Sequence, residues 1–294
     1  MTSEEANLLF ERTKGEPPLS AGGRKQCWEI DGKAVLIDRK GDDNGKFSKD
    51  NKDTLEGFEK LKSIGVSIPS VYYAGEFDGK PAMIQEFVQG EPLYFSSMVN
   101  FRNSRGIGGD VPYREVAEML LSHNIKNAQR LLEDGAIFEK VVRDILKCNA
   151  VGGVTLDTTT AENFLLGEDG VTLIDVITNP DQINLENANT YSERAIHNAV
   201  IQIRDVVSNF IQSNNAVRGT TEPTQQEKAI LSQLSQKCKA LVTQITGKSF
   251  EIMEPAVSFG NVNVPNYGER ERVFSPEQHA KNLALLGIRS EKQR

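Results

Sequence analysis

The chain has 294 residues, of which 38% are hydrophobic and 26% charged, and carries a net charge of −7. This length and composition fit one large globular domain or two lobes with a sizeable core. The acidic balance argues against a nucleic-acid binder, which needs a basic face, and gives no support for docking on an anionic membrane.

Residues 1–18 read as a polar lead-in. LSAGGRKQCWEIDGKAVLIDRK follows, with a Gly22-Gly23 turn, an apolar segment, Asp31-Gly32, and a second apolar run from Ala34 to Ile37. Asp-Gly between two strand-like runs predicts a hairpin. After polar sequence, Leu55, Phe58, Leu61 and Ile64 recur at helical spacing, and Gly65 is placed to cap that helix. SVYYAGEF and PAMIQEFV, separated by Asp78-Gly79, predict a second hairpin, and Gly90-Glu91-Pro92-Leu93 breaks the pattern.

Composition then turns helical from Tyr113 to Leu132 and, after Gly135, from Phe138 to Cys148. TLDTTTAENFLLGEDGVTLIDV, Thr155 to Val176, is the clear hairpin of this half. Long helices are expected over Thr190–Gln212 and Thr224–Thr246, and a short one in the polar tail near Pro276–Leu286. The expected fold is α+β and protein-kinase-like. A small antiparallel N-lobe with one helix spans 19–89, a mainly helical C-lobe with an embedded hairpin spans 90–259, and a polar tail spans 260–294.

That layout asks for specific chemistry. Phosphoryl transfer from ATP is a problem of positioning and charge neutralisation, and needs a backbone-rich loop, a cation for the phosphates, oxygen ligands for magnesium and an acceptor-side aspartate. Asp157, Asn163 and Asp175 match the order of a catalytic aspartate, a metal-binding asparagine and, past a hairpin, a metal-binding aspartate. Five residues separate Asp157 from Asn163 where four are usual, so strict register would put Glu162 at the asparagine position. The plainer reading is that Asp157 caps a turn and Asp175 ends a strand.

The segment PAMIQEFVQGEPL resembles a kinase strand running into its linker, with main-chain groups around Glu86 to Val88 placed to bind adenine. Gly22 and Gly23 would let backbone N–H groups approach phosphate. Overlaying Val-Ala-Ile-Lys on Ala34-Val35-Leu36-Ile37 leaves isoleucine where the phosphate-binding lysine belongs. Period-2 alternation puts Lys33, Val35, Ile37 and Arg39 on one face, so Arg39 or Lys33 is the expected cation, with Glu56 or Glu59 as its helix partner.

The three cysteines lack a CxxC pair and read as buried free thiols. His123, His197 and His279 lie near no cysteine or acidic cluster and read as packing or surface residues. The first residues hold no apolar signal-peptide core, and no window approaches the roughly 20 apolar residues of a membrane span. A soluble protein is expected.

At LDTTTAEN, LIDV and LLEDGAIF the chain resembles the NleH/OspG group of bacterial secreted effector kinases. That resemblance implies a compact Ser/Thr protein kinase using ATP and Mg2+, with Asp157 catalytic, Asn163 and Asp175 as metal ligands, and Gly22-Gly23 in the nucleotide loop. It also implies export from the bacterial cytoplasm into a host cell and, as in some members, a partner in the ubiquitin-conjugating machinery. Two other readings stand beside it. One is a pseudokinase scaffold, motivated by the missing strand lysine; the other is a small-molecule kinase resembling aminoglycoside phosphotransferases.

Overall fold

The computed structural model describes residues 1–21, 25–38, 51–168 and 170–248, leaving the expected helix near 276–286 outside the described residues. The described chain is α+β, with an antiparallel sheet in its first part and helices dominating the second.

The polar lead-in is a helix, α1 (Ser3–Thr13). Thr2 and Glu5 form a reciprocal capping box at its start, which satisfies two otherwise unpaired helical donors. Only Ala6, Phe10 and Thr13 are buried, too sparse a stripe to announce itself by period. Phe10 nevertheless stacks on Phe77 at 5.1 Å and meets Tyr73 edge-on at 5.8 Å.

Strands β1 (Ser20–Ala21), β2 (Lys25–Ile30) and β3 (Lys33–Asp38) lead to α2 (Asn51–Ser63), then to β4 (Val71–Phe77) and β5 (Lys80–Glu86). The five strands form one antiparallel sheet in the order β1-β2-β3-β5-β4. Both expected Asp-Gly hairpins are present. Asp31 and Asp78 have φ of 52° and 51° and their glycines 69° and 71°, as a two-residue turn with positive φ at both positions requires. Trp28, Ile30, Val35, Ile37, Ala82 and Ile84 pack under α1, which defines one face of the sheet.

The remainder is β6 (Glu91–Pro92), α3 (Met98–Arg105), α4 (Tyr113–Glu133), α5 (Gly135–Val151), β7 (Val154–Leu156), β8 (Phe164–Leu166), β9 (Val171–Leu173), β10 (Val176–Thr178), α6 (Glu193–Arg218) and α7 (Gln225–Thr246). Asp134 divides α4 from α5 by accepting from the N–H groups of Ala136 and Ile137. Helices α5, α6 and α7 share the main core with Phe58 and Leu61 of α2 and with Phe164 and Leu173 of the hairpin. Two short pairings frame the site: β7 with β10, and β6 with β8 and β9. Cys148 and Cys238 are buried free thiols and Cys27 is partly buried; burial pushes the Cys27 thiol up to about 11.

Helix α2 leans directly on β10. A Cβ at Gly57 would lie 2.1 Å from Thr178 Oγ1 and 2.4 Å from Thr178 Cβ. Alanine gains about 1 kcal/mol of helix propensity over glycine, but overpacking of this kind costs about 1–3 kcal/mol or more. Gly57→Ala is therefore expected to lower stability in urea unfolding; a more stable variant would contradict the close approach.

Candidate functional site

The β7–β10 ladder places the two aspartates. Leu156 pairs with Val176, Thr155 with Ile177 and Val154 with Thr178. Asp157 directly follows Leu156 and Asp175 directly precedes Val176, so both acids flank the same end of one two-stranded ladder.

The hairpin brings Asn163 to that end. Phe164 pairs with Leu173, and just beyond them the Ile174 N–H donates to the Asn163 carbonyl at 3.0 Å. The Asn163 amide nitrogen donates to the Asp157 carbonyl oxygen at 3.2 Å. With the nitrogen committed to the loop, the amide oxygen is the end left to act as an acceptor or metal ligand. Glu162 turns elsewhere: its carboxylate accepts from the Ser96 N–H at 2.9 Å and from the Ser96 hydroxyl at 2.7 Å. Asn163, not Glu162, is therefore the residue whose side chain bonds the main chain at Asp157.

Asp157 also caps its own turn. Its Oδ1 accepts from the Thr159 N–H, the Thr159 hydroxyl and the Thr160 N–H at 3.1, 2.7 and 3.3 Å, while Oδ2 accepts from the Thr160 hydroxyl at 2.6 Å. Burial raises this carboxyl, but the hydrogen bonds from Thr160 and Thr159 outweigh it and leave it below the usual aspartate value. The group is thus held ionised and fixed in direction, with acceptor capacity remaining on Oδ2.

Helix α6 holds the turn from behind. The Asn209 amide donates to the Thr158 carbonyl at 2.9 Å, both residues being buried, and the Thr158 hydroxyl reaches Asp205 at 3.4 Å. No sequence motif marked Asn209 or Asp205, because their role depends on α6 passing behind a loop 50 residues upstream.

From the sheet, Lys25 of β2 reaches across 150 residues of sequence, its Nζ lying 3.1 Å from Asp175 Oδ1. The cations expected from sequence were Arg39 and Lys33, on the next strand. Lys33 belongs to the alternation of Val35 and Ile37, which is the face packed under α1, and its Nζ bonds the Asp31 carbonyl at the hairpin turn. Lys25 stands opposite Asp38, and Cys27 opposite Leu36, on the other face. Arg39, Gly22 and Gly23 lie outside the described residues. Glu56 forms an i,i+4 ion pair with Lys60 at 2.8 Å.

At the end of β5, the Glu86 carboxylate accepts from the Ser70 N–H and hydroxyl, both at 3.0 Å, and lies 3.8 Å from Lys62. The Ser70 backbone bond holds it below the usual glutamate value. Its own N–H donates to the Ser70 carbonyl at 2.8 Å. Among the described residues, no backbone group bonds the Val88 main chain. A cleft of about 820 Å³ borders 86–91, but the rest of its wall comes from Lys62, 66–69, Arg130, Lys140, 166–168 and 170–172. None of Lys25, Asp157, Asn163 and Asp175 lines it, so it is separate from the carboxylate cluster.

The donor set decides which metal suits the cluster. Among the described residues, no three His, Cys, Asp or Glu side chains gather closely enough for a protein cage. Magnesium needs none, being held through one or two carboxylates with substrate phosphates and water completing the shell. Asp175 and the Asn163 amide oxygen are hard donors of that kind, so they fit a magnesium–nucleotide.

No family model matches the chain, and no curated protein matches it. Among the described residues no helix is long and apolar enough to cross a membrane.

Proposed function

We propose that this chain is an ATP- and magnesium-dependent phosphotransferase of the two-lobed, protein-kinase-like class, acting on a Ser/Thr hydroxyl of a protein. The observation that carries the reading is the meeting of Asp157, Asn163 and Asp175 at one ladder end, opposite a lysine from the sheet. The Asn163 amide ties the main chain at Asp157, and a lysine distant in sequence meets the carboxylate of Asp175. The chain order of sheet, break, helices and embedded hairpin supports the same reading.

In the proposed reaction the acceptor hydroxyl lies against Asp157 Oδ2, which orients it and takes its proton. The acceptor oxygen bonds to the γ-phosphorus while the bond to the β,γ-bridging oxygen breaks, and ADP leaves with that electron pair. Magnesium, when bound, neutralises charge on the β- and γ-phosphates. Asn163 and Asp175 are the residues that would hold it. The Asn163–Asp157 bond couples the metal side of the site to the acceptor side, so the reacting atoms are positioned together. Within the 86–88 segment the Glu86 and Phe87 N–H groups bond Ser70 and Gly32, so the Val88 main chain is assigned to the adenine edge.

Nucleotide binding is the first test. A ligand that binds only the folded state at 100 times its Kd adds about 2.7 kcal/mol of stability. Mg-ATP is expected to raise the melting temperature of the full chain in a concentration-dependent way. No shift at millimolar Mg-ATP would count against the reading and favour a scaffold.

A further inference from the structure

We infer that Lys25, on β2, supplies the cation that binds the nucleotide's phosphates, in place of a lysine on β3. The inference rests on the phosphotransferase reading above and names the residue that completes its charge balance.

Three observations carry it. The first is reach. The Lys25 ammonium, 3.1 Å from Asp175 Oδ1, already sits against the carboxylate assigned to the metal–phosphate side of the site. The second is the face. With Val35, Ile37, Ala82 and Ile84 committed to the α1 side, the opposite face carries Ala34, Leu36 and Asp38 from β3 and Met83 and Gln85 from β5. Among the described residues of the sheet, Lys25 is the cation on that face. Leu36 stands across from Cys27, two residues along β2 from Lys25, and is the aliphatic side chain that β3 offers on that face beside the position of Lys25 and Asp38.

The third observation is that the ion pair explains little as a stabilising device. Its side chains are 26% and 37% exposed, and exposed pairs of this sort contribute about 0–1 kcal/mol. A lysine ammonium has three donors, so one ammonium can hold Asp175 and a phosphate oxygen together. The pair then holds the sheet and the hairpin in register around the phosphates, and nucleotide binding does not require it to break.

The test uses the full chain with Lys25→Met, Lys25→Arg, and Lys25→Met combined with Leu36→Lys, which moves the ammonium to β3. ADP affinity is measured by calorimetry in EDTA, where no metal contributes, and phosphate transfer is measured with magnesium. Lys25→Met is expected to weaken ADP about 10- to 100-fold in EDTA, as loss of a charged hydrogen bond does. It should also lower kcat/KM at least about 100-fold, while its melting temperature stays within about 2 °C of the parent. The relocated lysine is expected to recover at least about tenfold of the loss, and Lys25→Arg to give an intermediate value. If Lys25→Met fails to fold, Lys25→Gln, which keeps a polar end without the charge, replaces it; parental ADP affinity and rate in that variant overturn the assignment. Parental behaviour of a folded Lys25→Met overturns it too, leaving the enzyme reading intact. A wild-type chain that binds neither ADP nor ATP removes the enzyme reading itself, and this assignment with it.

Discussion

Replacing Asp175 with alanine is expected to lower the proposed phosphate transfer by about 10²- to 10³-fold, the usual loss when one preorganised charge-stabilising group is removed. Asp157→Ala is expected to cost about 10²- to 10⁴-fold, the range for a positioned proton acceptor. The two variants should differ in kind. Asp175 meets Lys25 and is proposed to hold the metal, so its loss should weaken Mg-ATP as well as slow the reaction. Asp157 is proposed to face the acceptor, so its loss should lower kcat with little change in nucleotide affinity. Alanine at 157 also removes the cap on the Thr159–Thr160 turn, which makes Asp157→Asn the sharper variant. Its amide oxygen can still accept from Thr159, yet it takes no proton. Transfer by Asp157→Asn at the parental rate would assign that residue to the turn alone.

Glu227→Ala is expected to destabilise the fold by about 3–5 kcal/mol, the cost of stranding one member of a buried ion pair. The Glu227 side chain is fully buried and takes both Arg218 guanidinium nitrogens, Nη1 at 2.9 Å on Oε1 and Nη2 at 2.7 Å on Oε2. The Asn214 amide and the Thr224 N–H donate to it as well, both at 2.7 Å. Asn124 of α4 extends the chain of contacts by donating to Asn214 at 2.9 Å. One carboxylate thus caps α7 and ties it to the last turns of α6, the helix that also holds Thr158. Burial raises the Glu227 carboxyl, but Arg218, Asn214 and Thr224 outweigh burial and leave it below its ordinary value. A carboxyl lowered on folding contributes its full stability above the unfolded value, about 4.3 for glutamate, and loses it as pH falls through the folded value. The stability gap between wild type and Glu227→Ala, from urea unfolding, should therefore be widest near neutral pH and narrow below about pH 4. A pH-independent gap would contradict this sign.

Much of this architecture could be read from local patterns. The Asp31-Gly32 and Asp78-Gly79 turns sit between alternating strands, and each adopts the positive φ that its residues permit. The long helices α4, α6 and α7 follow from apolar residues at helical spacing and from caps such as Thr224 with Glu227. Helix α1 was missed because two large contacts, made by Phe10, do what a longer stripe would do elsewhere. The order of Asp157, Asn163 and Asp175 was legible as spacing; the β7–β10 register that sets the two acids side by side was not. Strand alternation grouped Lys33 with Val35 and Ile37 correctly. Which face meets the acids depends on where α1 packs, and that contact is remote in sequence from the hairpin. Lys25 escaped for the same reason, since its partner Asp175 lies 150 residues away. Asn163 and Glu162 could not be separated by counting, because the choice between them depends on Ser96 taking the glutamate.

The central claim is that one ladder end, carrying Asp157, Asn163 and Asp175, is a metal-assisted phosphate-transfer site. The most direct measurement is transfer of label from γ-phosphate-labelled ATP to a protein acceptor or to the chain itself, comparing wild type with magnesium, wild type with EDTA, and Asp175→Ala with magnesium. The account predicts transfer in the first case and loss of at least about 100-fold in the other two. Equal transfer by wild type and a folded Asp175→Ala, or transfer that persists in EDTA, would contradict it.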